Sequence, residues 1–322
     1  MNNKEVVQKM LIEKGDGVLD SHTHAGFDIT NIVTRRFPTV QSVSDLVRKF
    51  KSTGVNNTIT FPCASDLFWF DSSLVARSRQ WKYTGESAED FPYQFANSSH
   101  LNEVELFGEG VVLPFINILP AVREEEQINS VLEEIKRGDI FGLKFHPLAV
   151  HTRADSLKQS RFIEVAQRYN LPVTIHSGPD KYSQAQQIVE LAQTFPDVRF
   201  CIAHAAHFDV KIFTNRGCKL PNLFTDTSPF ISLCYLANQE GCQDQILNLD
   251  YNDPARALVE FATRWPDNII WGTDEPWTTL ADKNKKILTK VSYEDECALL
   301  KRIPENLRRK ISYENTMKYL FG

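Results

Sequence analysis

The chain has 322 residues and a formal net charge of -5, with 42% hydrophobic and 24% charged residues. This composition is typical of a globular α/β protein with enough apolar side chains to bury a large core. The mild negative charge and the short basic runs exclude a nucleic-acid-binding track. No apolar run is long enough to cross a membrane.

The amino terminus and the cysteines predict the compartment. Residues 1–17 are polar and lack the apolar stretch of a secretory signal. The six cysteines are scattered and show no paired spacing of the kind that builds a disulfide framework. We therefore expect free thiols, a cytoplasmic protein, and no membrane or nucleic-acid partner.

Short apolar segments alternate with helical patterns along the chain. Eight of them have the length and the residue content of buried strands. They cover residues 18–22, 58–61, 111–116, 141–146, 173–176, 200–204, 223–227 and 269–274. Eight parallel strands joined by right-handed helical crossovers close into a barrel. The sequence therefore predicts an α/β fold, a (β/α)8 TIM barrel, formed by one domain over residues 1–322.

The segments between the strands predict helices. Apolar residues recur at helical spacing over 127–136 and again over 157–169. A third helix is predicted over 254–265, where a proline stands in the first turn. We expect the helical region 294–322 to close the barrel.

A long insertion follows the second predicted strand. The span 63–110 is rich in aromatic residues, including Trp69 and Phe70, and is too long for a simple connection between a strand and a helix. Long insertions in barrels form lids or pocket walls, and Trp69 and Phe70 would then contact substrate. The alternative is a helical excursion packed on the outside of the barrel.

Histidines and one aspartate stand at the carboxyl ends of the predicted strands. In a barrel these strand ends converge on one face, so residues distant in sequence become neighbours. The set consists of His22 and His24 on strand 1, His146 on strand 4, His176 on strand 5, His204 on strand 6 and Asp274 on strand 8. The remaining histidines, His100, His151 and His207, are expected in surface, loop or pocket positions.

His22 and His24 are two residues apart on one strand, so their side chains point to the same face. Two imidazoles with a nearby carboxylate suit a Zn²⁺ ion, and also Fe²⁺, Mn²⁺ or Ni²⁺. Such an ion lowers the pKa of water and makes it a nucleophile near neutral pH. A hydrogen-bonded structural histidine is the alternative for each position, and His146 is the residue for which it is strongest.

These segments resemble the amidohydrolase superfamily, and within it the branch of predicted metal-dependent hydrolases of the TIM-barrel fold. That branch includes aminocarboxymuconate semialdehyde and resorcylate decarboxylases and related lactone hydrolases. The resemblance extends from about residue 17 to residue 322. It is carried, in order, by VLDSHTH, FGLKFHP, LPVTIHSG, VRFCIAHAAH, NLFTDTS, IIWGTDEPW and the closing ISYENTMKYLFG.

The resemblance implies a set of metal ligands and leaves the number of ions open. His22, His24, His176 and Asp274 would ligate one divalent ion. His204 would either ligate a second ion or polarise the substrate or water. Lys144 of the fourth strand would bridge two ions if carboxylated. The favoured alternative is an ordinary cation that binds an anionic substrate group or pairs with a carboxylate.

The resemblance and the strand positions also predict the pocket and the chemistry. His146, Asp226 and Trp277 are expected to line the substrate pocket. Asp274, His204 and Lys144 are expected to act in catalysis: Asp274 transfers the proton, and His204 or Lys144 stabilises the oxyanion.

The predicted activity is a metal-dependent hydrolysis of a small-molecule ester, lactone or amide by activated water. The alternative is a non-oxidative, metal-dependent decarboxylation of an aromatic or unsaturated carboxylic acid on the same ligands. A barrel retained only as a binding module is disfavoured, because a degenerate site is expected to lose at least one ligand. A homodimer is the default expectation for the assembly.

Overall fold

The computed structural model describes residues 3–14, 17–27, 40–63, 90–214, 219–239, 245–281 and 287–322. One sheet of nine strands forms its centre, in the order β2-β1-β3-β4-β5-β6-β7-β8-β9. The strands are β1 (Leu19–Phe27), β2 (Val40–Gln41), β3 (Asn57–Pro62), β4 (Val112–Ile118), β5 (Gly142–Phe145), β6 (Val173–Ile175), β7 (Phe200–Ile202), β8 (Leu223–Asp226) and β9 (Ile269–Ile270). All pair in parallel except β2, which is antiparallel to β1. The eight predicted strands are confirmed.

The sheet closes on itself between its first and last parallel strands. The amide of Ser21 donates to the carbonyl of Trp271 at 2.9 Å, and the amide of Asp274 donates to the carbonyl of His22 at 2.8 Å. The amide of His24 completes the ladder with a 2.7 Å bond to the carbonyl of Glu275. These bonds leave no free edge between β1 and β9, so the predicted TIM barrel is confirmed.

Helices surround the sheet. They are α1 (Asn3–Lys14), α2 (Val43–Thr53), α3 (Gln94–Phe107), α4 (Glu124–Arg137), α5 (Arg161–Arg168), α6 (Ala185–Thr194), α7 (Val210–Thr214), α8 (Phe230–Ala237), α9 (Pro254–Arg264), α10 (Tyr293–Lys301), α11 (Glu305–Arg309) and α12 (Asn315–Phe321), with a 3₁₀ turn at Ala154–Gln159 and a π turn at Lys310–Glu314. A small antiparallel pair, β10 (Leu280–Ala281) and β11 (Ile287–Thr289), follows β9.

The helix predictions are confirmed in two places and corrected in a third. Helix α4 covers the predicted 127–136, and α9 covers the predicted 254–265 except for its last residue. The single helix predicted over 157–169 is wrong, because the segment divides at Ser160. The Ser160 side chain accepts from the amide of Phe162 and begins α5, while its own amide ends the preceding 3₁₀ turn.

Two apolar layers hold the barrel. The first lies between the sheet and the helices. The second is inside the barrel, where alternate side chains of β3 and β4, such as Phe61 and Phe115, meet Tyr319 and Leu320 of α12. The Tyr319 hydroxyl contacts Thr174 Oγ1 at 2.7 Å. The carboxyl-terminal helix thus seals the barrel interior, as the sequence predicts for 294–322.

Only part of the insertion lies among the described residues. Helix α3 packs in the outer layer, where its Asn97 side chain bonds both the amide and the carbonyl of Asn117 at 2.9 Å. This part has the position that the alternative of a helix outside the barrel describes, and the predicted contribution of the insertion to the pocket stays a prediction. Trp69 and Phe70 lie outside the described residues, so their predicted contact with substrate stays a prediction. Within the described ranges, no helix combines the length and the apolar character needed to cross a membrane.

Candidate metal centre

Three side-chain atoms from opposite ends of the chain form a small triangle at the carboxyl end of the barrel. Nε2 of His22 lies 3.2 Å from Nε2 of His24, and each lies 3.3 Å from Oδ1 of Asp274. All three residues are buried. The strand alternation of β1 directs both imidazoles inward, and closure of the barrel brings Asp274 beside them.

The close approach of β1 and the segment after β9 depends on a glycine. A Cβ atom on Gly272 would stand 2.9 Å from Cβ of His22 and 2.9 Å from Oγ of Ser21, which is closer than side-chain atoms pack. Asp274 itself adopts a left-handed backbone with φ of 62°. Aspartate is among the few residues that tolerate this region, and strain of this kind is common at functional sites.

The triangle fits a metal ion. Four ligand atoms at about 2.05 Å around a tetrahedral zinc ion are separated by about 3.3 Å, as simple geometry requires. The three measured separations of 3.2, 3.3 and 3.3 Å agree with this edge length. His22, His204 and Asp274 also form a group whose ligand atoms all lie within 4.8 Å of one another. The donor set of imidazole and carboxylate suits Zn²⁺ and its neighbours in the first transition row.

His176 and His204 extend this cluster. Nδ1 of His176 lies 2.8 Å from Nε2 of His204. Nδ1 of His204 lies 2.7 Å from the carbonyl of Ser228, so it carries the proton, and Nε2 is left with a lone pair. His176 therefore supplies the proton between the two rings, and ligation of an ion through this nitrogen would require the other tautomer, with the proton on Nε2.

His204 begins an unusual turn. Five consecutive residues, His204–Phe208, have φ between 47° and 63°, although none of them is a glycine. A left-handed backbone costs roughly 1–2 kcal/mol for each such residue. The surrounding bonds must therefore hold the turn in place. They include a 2.9 Å bond from the His204 amide to Asp226 and a 3.1 Å contact between His207 Nε2 and the carbonyl of Ser177.

Lys144 of β5 points into the barrel beneath this cluster. Its Nζ lies 3.2 Å from Nε2 of His22 and 4.3 Å from the centre of the Phe61 ring. Burial lowers the pKa of Lys144 to about 8, although the nearby carboxylates of Asp226 and Asp274 act in the opposite direction. Among the described residues, no carboxylate lies within ion-pair distance of this ammonium.

Asp226 lies behind the cluster rather than at its open side. The side chain is fully buried, and its Oδ2 lies 2.8 Å from Nδ1 of His22. Oδ1 accepts from the amides of His204 and Ser228 and from the Ser228 hydroxyl. Both oxygens are therefore used within the protein. This position differs from the pocket lining expected for Asp226, because the end of β8 directs the carboxylate toward β1 and β7.

His146 and Trp277 flank the cluster. The His146 ring stacks on the His176 ring, with the centres 3.9 Å apart and the planes 12° apart. Nδ1 of His146 accepts from the amide of Ala149 at 3.1 Å, which assigns the ring proton to Nε2. Trp277 packs edge-on against His24, with the ring centres 4.7 Å apart. Each of the two rings thus contacts one of the predicted metal ligands, His146 contacting His176 and Trp277 contacting His24.

Burial sets the protonation of the cluster. It lowers the pKa of His22, His24 and His176 well below the usual histidine value, and that of His204 to about 3. It raises the pKa of Asp274 to about 6. The imidazoles are thus neutral near neutral pH and offer the lone pairs that metal ligation requires.

The sequence did not single out Asp20, which supports the ligands from below. Its Oδ1 accepts from the amides of His22 and Thr273 at 3.1 Å, and its Oδ2 accepts from the Thr273 hydroxyl at 2.8 Å. One carboxylate thus fixes the backbone at or next to two of the candidate ligands, His22 and Asp274. The signal that could have found it is a charged residue within an otherwise buried strand, two positions before His22. His100 is buried on α3, so the surface position among those expected for it is excluded.

A closed α/β barrel with histidine and carboxylate ligands at the carboxyl ends of its strands defines a class of metal-dependent barrel enzymes. The model of the amidohydrolase family matches residues 94–321, which is more than half of the chain. The chain therefore belongs to the amidohydrolase family and is an enzyme of that superfamily, as the sequence motifs indicate. No curated protein sequence matches it significantly.

Solved structures share the fold. One is a probable 2-pyrone-4,6-dicarboxylic acid hydrolase of Acinetobacter baumannii, with a TM-score of 0.58, 15% identity, and coverage of 95% of this chain and 99% of the other. Another is the 5-carboxyvanillate decarboxylase LigW of Sphingomonas paucimobilis, with a TM-score of 0.58 and 13% identity. It covers 94% of this chain and 98% of its own. A third is an amidohydrolase of Burkholderia multivorans with bound zinc, with a TM-score of 0.57 and 12% identity. It covers 95% of this chain and 99% of its own. At these identities the similarity concerns the fold.

Proposed function

We propose that this enzyme is a metal-dependent hydrolase that cleaves an ester, lactone or amide bond of a small molecule with activated water. His22, His24, His176 and Asp274 would hold the ion. The observation that carries the proposal is the triangle of His22, His24 and Asp274, whose 3.2–3.3 Å edges match the ligand spacing of a tetrahedral ion. When bound, the ion would supply Lewis acidity and lower the pKa of water.

The other polar side chains of the site differ in whether they donate or accept a proton. His204 donates its Nδ1 proton to Ser228, so its Nε2 lone pair, which accepts from Nδ1 of His176 in this structure, could accept a proton from the attacking water once an ion takes that nitrogen of His176. The Lys144 ammonium only donates hydrogen bonds, so it is the better candidate to stabilise negative charge on the substrate oxygen. Asp274, whose pKa is raised to about 6 by burial, would relay the proton taken from water by His204 to the leaving group. His204 and Lys144 thereby take separate roles.

We propose one ion rather than two, and zinc as its identity. The Lys144 Nζ lies 3.2 Å from His22 Nε2, and with an ion on this nitrogen the ammonium would donate to a substrate oxygen instead. A second ion would need a carboxylated lysine in its place. Zinc is favoured by the imidazole and carboxylate ligands, and the structural neighbour from Burkholderia multivorans is described with bound zinc.

His146 and Trp277 are the proposed substrate contacts. Nε2 of His146 carries the ring proton and can donate to a substrate oxygen. Trp277 would form an apolar wall beside His24. We further propose a cytoplasmic enzyme, from the scattered cysteines, that acts as a homodimer on small-molecule substrates.

A decarboxylase is the second candidate, because the structural neighbour LigW is described as a 5-carboxyvanillate decarboxylase. The two activities differ in product. In one assay, zinc-loaded protein is incubated with lactones and esters. In a second assay, it is incubated with hydroxylated aromatic acids. Ring opening or ester cleavage supports the hydrolase, and release of CO₂ with the lactones untouched overturns it. The variant Asp274→Asn distinguishes turnover at this site from a contaminant, since it should lose whichever activity is found.

A further inference from the structure

The carboxylate of Asp226 joins two parts of the metal centre that are far apart in sequence. Its Oδ2 contacts Nδ1 of His22 at 2.8 Å. Its Oδ1 accepts from the amide of His204 at 2.9 Å, from the amide of Ser228 at 3.1 Å and from the Ser228 hydroxyl at 2.6 Å. The side chain is inaccessible to solvent. It cannot contact a ligand, and its influence on the site must pass through the groups that it holds.

The contact with His22 determines which ring nitrogen carries the proton. An ionised carboxylate only accepts hydrogen bonds, so Nδ1 of His22 donates and Nε2 keeps its lone pair. Nε2 is the atom in the ligand triangle, 3.3 Å from Oδ1 of Asp274. Orientation of a ligating histidine by a carboxylate at its other nitrogen also increases the basicity of the ring.

The contacts with His204 and Ser228 hold the strained turn. The His204 amide donates to Asp226 at the first of the five left-handed residues. The Ser228 carbonyl accepts from Nδ1 of His204 at 2.7 Å, so fixing Ser228 also fixes the acceptor of this ring. Asp226 therefore sets the direction of Nε2 in both His22 and His204.

We propose that Asp226 is a positioning residue that imposes the Nδ1–H tautomer on His22 and anchors the left-handed turn of His204, so that both Nε2 atoms face the metal position. This inference rests on the proposed metal site. Asp226 thereby acquires a role different from substrate contact. Asp226 would orient the histidines of the site already in the metal-free protein.

Asp226→Asn reverses one hydrogen bond with almost no change in shape. If the amide oxygen keeps the three donors on the Oδ1 side, the NH₂ group faces His22 and forces its proton onto Nε2. If the amide is turned the other way, its NH₂ group faces the two backbone amides and the hydroxyl that previously donated to Oδ1. These donors then lose their acceptor. We expect the zinc affinity to fall by about 10–100-fold. Asp209→Asn is the matched control, because Asp209 lies immediately after the same turn and its carboxylate accepts from the amide of Lys211.

Zinc dissociation constants are measured by chelator competition for the wild type, Asp226→Asn and Asp209→Asn, with folding checked by circular dichroism. The proposal expects weaker binding in Asp226→Asn alone. A folded Asp226→Asn protein that binds zinc within about threefold of the wild type would overturn it, since the expected effect is tenfold or more. If the wild type itself binds no zinc, the proposed function fails.

A second measurement needs no variant of Asp226 and no metal. Two-bond ¹H–¹⁵N correlation spectra of the metal-free wild type identify the tautomer of each of the eight histidines, and His22→Gln assigns the His22 signals. The proposal expects His22 to be protonated on Nδ1. Protonation on Nε2 would contradict it, whether or not Asp226→Asn folds and whether or not the protein is a hydrolase.

Discussion

Asp274 contacts His22 twice, once through the backbone and once through the side chain. Its amide donates to the His22 carbonyl at 2.8 Å, and its Oδ1 lies 3.3 Å from Nε2 of the same histidine. The first contact closes the barrel, and the second builds the ligand triangle. Closure of the fold and assembly of the site are therefore one event. An ion bound at this position would stabilise the closed barrel by mass action.

Asp274→Asn should separate these two contacts. Asparagine tolerates the left-handed backbone at φ of 62°, and the backbone bond to His22 does not require the carboxylate. We expect the fold to persist, zinc affinity to fall, and turnover to drop by about 100-fold or more. Chelator competition, circular dichroism and steady-state kinetics on any lactone or ester that the wild type cleaves test this. Asp267→Asn, a change at an exposed carboxylate paired with Lys310, should leave all three unchanged; wild-type turnover in Asp274→Asn would show that the role assigned to Asp274 is wrong.

The buried Lys144 ammonium predicts a pH dependence of stability in the metal-free protein. Burial lowers its pKa to about 8 from an ordinary value of 10.5. Between these values the unfolded chain holds a proton that the folded chain has released, so stability rises with pH. Relative to Lys144→Met, the wild type should gain about 2 kcal/mol of unfolding free energy between about pH 7 and pH 9.5.

Urea unfolding of both proteins in the presence of a chelator measures this difference. The comparison with Lys144→Met cancels the titration of the other groups, including the buried tyrosines. At neutral pH the methionine variant should be the more stable of the two, because it removes an unpaired buried charge. A difference in unfolding free energy that stays constant with pH would show that Lys144 does not titrate as its burial predicts.

Most of the barrel could be predicted from the sequence because its strands are apolar runs with helical segments between them. The strand ends then identified His22, His24, His176, His204 and Asp274 without any knowledge of their partners. The direction in which each side chain points was harder to predict from the sequence. Asp226 was expected at the pocket, whereas it bonds His22 and Ser228 inside the protein. The alternation of a short strand such as β8 cannot distinguish a carboxylate that faces a ligand from one that faces a neighbouring strand.

The turn at His204–Phe208 was not predictable for a different reason. Positive φ values are usually signalled by glycine or asparagine, and the sequence His-Ala-Ala-His-Phe contains neither. The conformation is imposed by tertiary contacts with Asp226 and Ser177, which local sequence does not encode. The division of the predicted helix at Ser160 has a similar origin, because serine competes for the backbone amides that a continuous helix would use.

The left-handed turn leads to a stability prediction. Ala206 has φ of 47°, a region that glycine adopts without a steric penalty. Ala206→Gly should raise the free energy of unfolding by about 1 kcal/mol. Ala203 stands just before the turn with an extended backbone at φ of -69°, so Ala203→Gly should instead destabilise the protein by about 0.5–1 kcal/mol. Chemical denaturation measures the change in the free energy of unfolding for each variant. Destabilisation by Ala206→Gly would mean that the turn is not strained.

The metal content of the purified protein tests the central claim most directly. After removal of adventitious ions and reconstitution, metal analysis by mass spectrometry should find about one equivalent of a divalent ion, most readily zinc. His24→Asn should lose it, whereas His151→Asn should keep it, because His151 stacks on Tyr182 away from the triangle and its left-handed backbone accepts asparagine. No bound ion in the wild type, with no activation by added zinc, manganese, iron or nickel, would contradict the account.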